Sequence, residues 1–229
     1  MKRFVFLMIA ALLSAPSFSQ SVKQTVKSQL ETNDLYVKLS SAKDSKSAKK
    51  QAKADIKDGW KVMSGEKPLE RQYTESEIYS NLLMTNIYGT QVPRYIAHTG
   101  MATGKTYNMA YTDAREQCKY DIAGMLETQI VGSITTSKES QKLSDSENMA
   151  VEKLSEKVKT LVNESLTNLI PVVTTYRMRD GNYEVRVRIA CDKQEIVNKL
   201  KMNMLNESSV SEDMLDKLLN DAMAKKSTL

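Results

Sequence analysis

The chain has very few of the side chains that metal sites and nucleophilic catalysis use most often. Its 229 residues include one histidine, His98, and two cysteines, Cys118 and Cys191. A lone histidine without a cysteine or a second histidine at ligand spacing is weak evidence for a metal site or a catalytic base. Cys118 and His98 also fall in different predicted elements, so the sequence does not indicate a nucleophile–base pair. We therefore expect no catalytic residues, no metal and no cofactor.

Long apolar runs are scarce as well. The longest covers residues 4–13; two basic residues precede it, and Ser17 and Ser19 follow at small-residue cleavage positions. This pattern predicts a secretory signal peptide over residues 1–19 and therefore a periplasmic or secreted protein. No second run is apolar enough for a transmembrane segment. Because neither cysteine lies near the cleavage site, lipid attachment there is not expected.

Charge of one sign is not in large excess either. The chain carries 33 Lys+Arg against 28 Asp+Glu, and two of the basic residues belong to the predicted signal peptide. The lysines are spread along the chain, so nucleic-acid binding is not expected.

The strongest helical pattern covers residues 104–134. Small side chains at the start of its apolar stripe would let the helix backbone lie close against a sheet. Residues 130–137 are rich in β-branched side chains and fit either a strand or two further helical turns, and both alternatives stay open. The stripe has the spacing of one helix face and consists of Met109, Ala110, Ala114, Cys118, Ile122, Met125 and Leu126.

A second helix is predicted from a capping box formed by Ser144 and Glu147. It must end before Pro171, because the residue before a proline avoids the helical conformation. Its apolar face has heptad-like spacing and consists of Val151, Leu154, Val158, Leu161, Ser165 and Leu169.

Patterns upstream are weaker. Alternating apolar residues predict a short strand over residues 35–39. A helix is predicted over residues 42–57, with Gly59 at its C-cap and one face made of Ala48, Ala52 and Ile56.

A further helix is predicted from Pro68 to Tyr88, with Leu83 and Ile87 on its apolar stripe and Gly89 closing it. Alternation over residues 93–102 then predicts a strand.

The clearest local pattern is a β-hairpin around Asp180 and Gly181, which tolerate the positive φ of a two-residue turn. The turn places Arg179 opposite Asn182, and counting outwards places Val172 opposite Ile189. One face of this hairpin is apolar. The other face is basic and predicts binding of an anionic polymer; its arginines are Arg177, Arg179, Arg186 and Arg188.

Two helices are predicted at the C-terminal end, over residues 192–204 and 211–225. The second has a wide stripe of leucine and methionine, which must be buried if the helix forms. Packing on its own domain and self-association with another copy are the two alternatives.

The segment GMATGKT, from Gly100 to Thr106, approaches a phosphate-binding loop. The P-loop pattern requires its first glycine at position 99, which is threonine here. A nucleotide-dependent enzyme acting through Lys105 is therefore a minor alternative.

Cys118 and Cys191 both belong to predicted apolar faces. In an exported protein, two such residues fit either a disulfide or two buried free thiols, and the sequence does not decide between them.

The order of a strand, a small-residue helix, a second helix and a basic hairpin resembles the LPP-twenty-like family of Gram-negative envelope proteins. The likeness covers residues 94–193. It is carried by Ala110-x-x-x-Ala114-x-x-x-Cys118, by the Ile130-Val131 continuation and by the DGNYEVRVRIA strand. It implies an α+β fold, a small antiparallel sheet packed by helices with additional N- and C-terminal helices, and no assigned catalytic residues.

The resulting domain prediction is a signal peptide over 1–19, a helical extension over 20–90, an LPP-twenty-like domain over 91–205 and an amphipathic helix over 206–229. The expected function is that of an exported, non-catalytic structural or protein-interaction module of the cell envelope. Its expected partner is an envelope protein or another copy. The alternatives are binding of an anionic envelope polymer and, less favoured, nucleotide-dependent catalysis.

Overall fold

A computed structural model of the chain describes residues 33–140, 145–207 and 210–224. The chain divides into two compact units, residues 1–43 and 44–229. The predicted signal peptide and Ser144 of the predicted capping box lie outside the described residues. Within those residues, no helix combines the length and the apolarity needed to cross a bilayer.

The described part of the first unit includes a helix over residues 33–41. The strand predicted over residues 35–39 is therefore wrong. Of the alternating residues, Val37 is exposed whereas Leu35 and Leu39 are half-buried, so the alternation does not correspond to one buried face. The hydroxyls of Ser40 and Ser41 donate to the Val37 carbonyl within the helix, and these local bonds need no partner strand.

The second unit has an α+β architecture, as predicted. A hairpin joins β1 and β2, and a three-stranded antiparallel sheet has the strand order β3-β5-β4. The helices and strands follow in the order α1 (Lys46–Lys57), α2 (Leu69–Asn81), β1 (Leu83–Thr85), β2 (Gln91–Pro93), β3 (Tyr95–Gly104), α3 (Tyr107–Ser140), α4 (Asp145–Ser165), β4 (Ile170–Arg179), β5 (Asn182–Asp192), α5 (Lys193–Glu207) and α6 (Glu212–Ala224).

The predicted hairpin turn between β4 and β5 is confirmed. Asp180 and Gly181 have φ values of 51° and 73°, and the register follows the prediction from Arg179 opposite Asn182 to Val173 opposite Arg188.

The predicted pairing of Val172 with Ile189 is wrong. Pro171 takes that place, because the register shifts between Pro171 and Val173. Proline cannot donate to the ladder, and an irregularity beside it is the usual accommodation.

The face of the sheet that carries Val185, Val187 and Ile189, which we call the inner face, forms the main core with α3. The predicted small-residue stripe is confirmed, since Ala110, Ala114 and Cys118 are fully buried. Met109, assigned to the same stripe, is exposed because the buried i, i+4 series begins at the next residue.

The alternative left open at residues 130–137 is decided in favour of helix. Ile130 and Ile134 continue the buried stripe of α3, which runs to Ser140. The apolar stripe of α4 packs on α3 and is confirmed for Val151, Leu154, Val158, Leu161 and Ser165.

Gly100 sets how closely α3 approaches the sheet. A Cβ built on Gly100 would lie 2.2 Å from the Ala114 carbonyl oxygen and 3.0 Å from the Cys118 backbone nitrogen. The absence of a side chain at this strand position therefore lets two backbones meet.

The C-terminal helix α6 packs against α3 and α5 of its own domain. Leu215, Leu218 and Leu219 are buried there, so the stripe that motivated the self-association hypothesis is occupied within the chain. The buried Lys193 ammonium donates to the Met223 carbonyl near the end of α6, and burial lowers the pKa of Lys193.

The opposite, outer face of the sheet is covered by α1 and α2. The α1 helix is confirmed except at its start, which lies at Lys46 and not at residue 42, because the Ser45 side chain caps it there. Ala48 and Ala52 are buried, and Gly59 follows the end of the helix with φ 86°. Ile56 is exposed, so its assignment to the buried face is wrong.

The prediction of one helix from Pro68 to Tyr88 is wrong over residues 82–88, because α2 ends at Asn81 and a hairpin follows. The Asn86 side chain accepts hydrogen bonds from the backbone N–H groups of Tyr88 and Thr90. Gly89 has φ 75°. This local turn chemistry outweighs the helical spacing.

The edge of the sheet at β4 is bonded to the segments around α2. The backbones of Lys61 and Tyr176 exchange two hydrogen bonds of 2.8 and 2.9 Å. The Gln72 side chain accepts the Thr174 N–H at 2.7 Å. The α1 and α2 helices thus belong to the same compact unit as the sheet, whereas the predicted boundaries at residues 90 and 205 stay predictions.

We predict that Gly100→Ala destabilises the fold by about 1–3 kcal/mol, because the new methyl group meets backbone that must move. Urea denaturation measures this loss. The matched control is Gly124→Ala in α3, where a Cβ meets nothing within 4 Å. Alanine there should stabilise the protein by about 0.5–1 kcal/mol through helix propensity. Equal effects of the two substitutions would contradict the close approach at Gly100.

Candidate functional site

The arginines predicted to form a basic face lie on the outer face of the sheet or at its turn. Arg177, Arg186 and Arg188 pair across the strands with Glu184, Thr175 and Val173. Thr175 and Val173 are buried, so α1, α2 and the segment between them cover this face. The four arginines therefore do not share one open basic surface.

Two of these arginines flank the only tryptophan. The guanidinium carbons of Arg177 and Arg186 each lie 4.5 Å from the centre of the Trp60 ring. Trp60 is 5% exposed, so both cation–π contacts are shielded from water. Arg177 also donates to the Glu184 carboxylate at 2.6 Å.

Arg186 is held by a second group of partners. Its Nη2 pairs with the Asp55 carboxylate and donates to the Tyr73 hydroxyl at 2.9 Å. The Tyr73 hydroxyl in turn donates to Asp55. Burial and the bond to Asp55 raise the pKa of Tyr73, so this hydroxyl keeps its proton. The charge of Arg186 is thus balanced within the protein.

Arg179 lies at the turn, where its side chain is 71% exposed and 4.0 Å from Asp180. It is the member of the predicted set that has the features of a solvated surface residue.

A polar pocket lies between α2 and the outer face, with a cavity of about 440 Å³. Its floor follows one row across the sheet, since Arg188 of β5 pairs with Val173 of β4 and with Thr99 of β3. We call this cavity the outer pocket; its lining consists of Gln51, Tyr73, Ser76, Glu77, Ser80, Asn81, Thr99, Val173, Arg186 and Arg188.

Arg188 is the least satisfied charged group of the outer pocket. Its Nη1 donates to the Thr99 hydroxyl at 3.2 Å. Its Nε is buried and has no hydrogen-bond partner among the described residues. A buried N–H group without a partner costs free energy, so the Arg188 guanidinium is incompletely compensated by the described residues.

The two cysteines are buried free thiols in the structure, and a disulfide between them stays a prediction. The Cys118 sulfur accepts the Gly100 N–H at 2.8 Å and donates to the Val187 carbonyl at 3.1 Å. Burial raises the pKa of Cys118 and raises that of Cys191 to about 12. Such thiols are poor nucleophiles.

The fold brings His98 closer to Cys118 than the sequence indicated, since both lie at the interface of β3 and α3. The His98 Nε2 pairs with Asp121 at 3.1 Å. The Cys118 sulfur lies 3.6 Å from the His98 carbonyl oxygen, which is a contact with backbone and leaves the imidazole engaged elsewhere. The arrangement therefore lacks the hydrogen bond between base and nucleophile that activates a thiol.

The segment GMATGKT does not form a phosphate-binding loop. Residues up to Gly104 belong to β3 and pair with β5, which leaves Lys105 and Thr106 as the whole connection to α3. The Thr106 hydroxyl accepts the Met109 N–H at 3.3 Å and acts as a helix cap.

Within the part of the chain that the structure describes, no three His, Cys, Asp or Glu side chains are grouped closely enough to hold a metal ion. No protein family, curated protein or solved structure matches the chain significantly. The resemblance to the LPP-twenty-like family stays a prediction.

Sequence reasoning did not find the outer pocket. Polar residues recur on the buried face of α2, within the segment for which the sequence predicts an apolar stripe. Gln72, Thr74, Glu75 and Ser76 are all buried. That polar series was the available signal, but only the placement of α2 over the sheet shows what it faces.

The pair of Arg177 and Glu184 predicts a pH dependence of stability. Its hydrogen bond holds the pKa of Glu184 below the ordinary value of 4.5. The pair therefore contributes stability above the unfolded pKa, and this contribution is lost as pH falls through the lower folded pKa. In Glu184→Gln we expect this pH-dependent contribution to the unfolding free energy to be absent.

Urea denaturation of both proteins between about pH 6 and pH 3 measures the effect, over the range in which carboxylates titrate. The difference in unfolding free energy between the unaltered protein and Glu184→Gln should become smaller as pH falls. Arg177→Gln should remove the same component from the other side of the pair. A difference that stays constant over this range would contradict the role of the pair.

Proposed function

We propose that the protein is an exported, non-catalytic binding protein of the cell envelope, and that its outer pocket receives an acidic group of the ligand at Arg188. One observation carries the binding role: Arg188 lines this pocket, and among the described residues its guanidinium bonds to the neutral Thr99 hydroxyl and to no carboxylate.

The chemistry of the guanidinium favours an oxygen anion. Carboxylate and phosphate groups accept from two arginine N–H groups at once, which makes such contacts geometrically specific. The Thr99 hydroxyl, which accepts from Arg188, still has a proton to donate to the same anion. Arg186 supplies additional positive potential at the floor, although Asp55 balances it.

The proposed location follows from the signal-peptide pattern of residues 1–19. The buried, backbone-bonded thiol of Cys118 and the pairing of His98 with Asp121 support a non-catalytic role. A protein that binds one acidic group at a time fits the pocket better than a polymer lying along all four arginines, because Arg177 and Arg186 are already paired.

We predict that acetate, phosphate or sulfate binds saturably and shifts the Nε–H resonance of Arg188 in spectra of arginine-labelled protein. Arg188→Gln should weaken the binding about ten-fold or more, since a hydrogen bond to a charged group contributes about 1.5–3 kcal/mol.

The matched control is Arg179→Gln, which removes the same charge from the exposed turn and should leave binding unchanged. Equal weakening by both substitutions would show that net charge, and not the pocket, holds the anion. Failure to saturate with any of the three anions would overturn the proposed function.

A second function, interaction with an envelope protein or another copy, is favoured by the hairpin of β1 and β2. Leu83, Ile87 and Tyr88 are 55%, 58% and 52% exposed there. Large apolar side chains grouped in one exposed segment are a common feature of interaction sites.

We predict that a photo-cross-linking residue placed at position 87 forms a discrete adduct in cells, and that Leu83→Ser in the same chain reduces its yield. A residue placed at position 202 of α5 is the control, because Met202 is at least as exposed as Ile87 but lies elsewhere. The same adducts from both positions would contradict an interface at the hairpin. An adduct of twice the chain mass would identify the partner as another copy.

A further inference from the structure

The outer pocket contains a second charged group that has no charged partner within the described part of the chain. Glu77 lies on the α2 wall, opposite the floor formed by β5. Its Oε1 accepts from the Ser47 hydroxyl at 2.6 Å, and its charge is not paired with any cation among the described residues. Within residues 33–140, 145–207 and 210–224, Arg188 likewise bonds only to the neutral Thr99. The two opposite charges share one cavity without pairing with each other.

The other described lining residues do not neutralise the charge of Glu77 or that of Arg188. Arg186 is balanced by Asp55. The neutral remainder of the lining provides hydroxyl and amide groups, with Val173 as its aliphatic member. A ligand with a negative group alone satisfies Arg188 but leaves Glu77 uncompensated. A ligand with one negative and one positive group complements both.

We infer that the ligand of the outer pocket is a zwitterion, with its carboxylate on Arg188 and its ammonium on Glu77. This inference rests on the proposed function, whose acidic group it identifies as a carboxylate. The chemical class is an amino acid or a short peptide with a free amino group.

The size and polarity of the cavity agree with this class. About 440 Å³ lies within the range of small-molecule sites. The hydroxyls of Ser76 and Ser80 and the amides of Gln51 and Asn81 can bond to peptide N–H and C=O groups. With Val173 as the aliphatic contact, the pocket favours small side chains.

The test is calorimetric titration of the full chain with a matched ligand series. The series consists of alanine, alanyl-alanine, N-acetyl-alanyl-alanine and alanyl-alanine amide. The acetylated peptide lacks the ammonium, and the amide lacks the carboxylate. We expect loss of either charge to weaken the binding of the dipeptide about ten-fold or more, as for other charged hydrogen bonds.

Glu77→Gln isolates the contribution of the second charge. Glutamine keeps an acceptor for Ser47, so the substitution removes the charge without emptying the site. In this variant the free and acetylated dipeptides should bind with equal affinity. Glu66→Gln is the matched control, because Glu66 is exposed and does not line the pocket. It should keep the preference for the free amino group.

The outcomes separate the inference from the proposed function. If the acetylated peptide binds the unaltered protein as tightly as the free one while acetate still depends on Arg188, the zwitterion is refuted and the anion site stands. If neither peptides nor inorganic anions bind, both fail. Stronger binding of alanine than of alanyl-alanine identifies an amino-acid site, and the reverse identifies a peptide site; either result supports the zwitterion.

Discussion

The close approach of α3 to the sheet at Gly100 is the constraint on which the rest of the structure depends. A side chain at this strand position would run into the Ala114 carbonyl oxygen. With glycine there and alanine at positions 110 and 114, the helix lies close to the strand, and Cys118 bonds to backbone groups of β3 and β5. This contact fixes the inner face and leaves the other side of the sheet for α1 and α2.

Electrostatic pairing then determines what the outer face can do. Covering three arginines with helices requires partners for their charges, since an unpaired buried charge is costly. Trp60, Asp55, Tyr73 and Glu184 supply these contacts for Arg177 and Arg186. Among the residues that the structure describes, Arg188 has only the Thr99 hydroxyl as a hydrogen-bond partner. The outer pocket is therefore the place where the covering of the sheet is incomplete. A ligand with a negative group can supply the charged partner that Arg188 lacks among the described residues.

The parts that could be predicted from the sequence are those in which a local pattern determines the geometry. The turn at Asp180 and Gly181 fixes the hairpin register, and the spacing of small residues identifies the buried side of α3. Errors arose where local and tertiary effects compete, as at residues 82–90, where the Asn86 turn outweighs a helical stripe. The outer pocket could not be predicted, because it needs the position of α2 over β4 and β3. Arg186 and Arg188 are two arginines on the same face of β5, two positions apart, and only their tertiary partners distinguish them.

The bonding of β4 to Lys61 and Gln72 has a consequence for how this protein meets other chains. An open sheet edge presents backbone donors and acceptors that can template pairing with a foreign strand. Here the outward N–H groups of Thr174 and Tyr176, and the Tyr176 carbonyl, are already bonded within the chain. The segment between α1 and α2 thus pairs with β4 at Lys61, and α2 covers the neighbouring position of this edge through Gln72. A protein crowded among unfolded neighbours gains resistance to strand-by-strand aggregation at this edge.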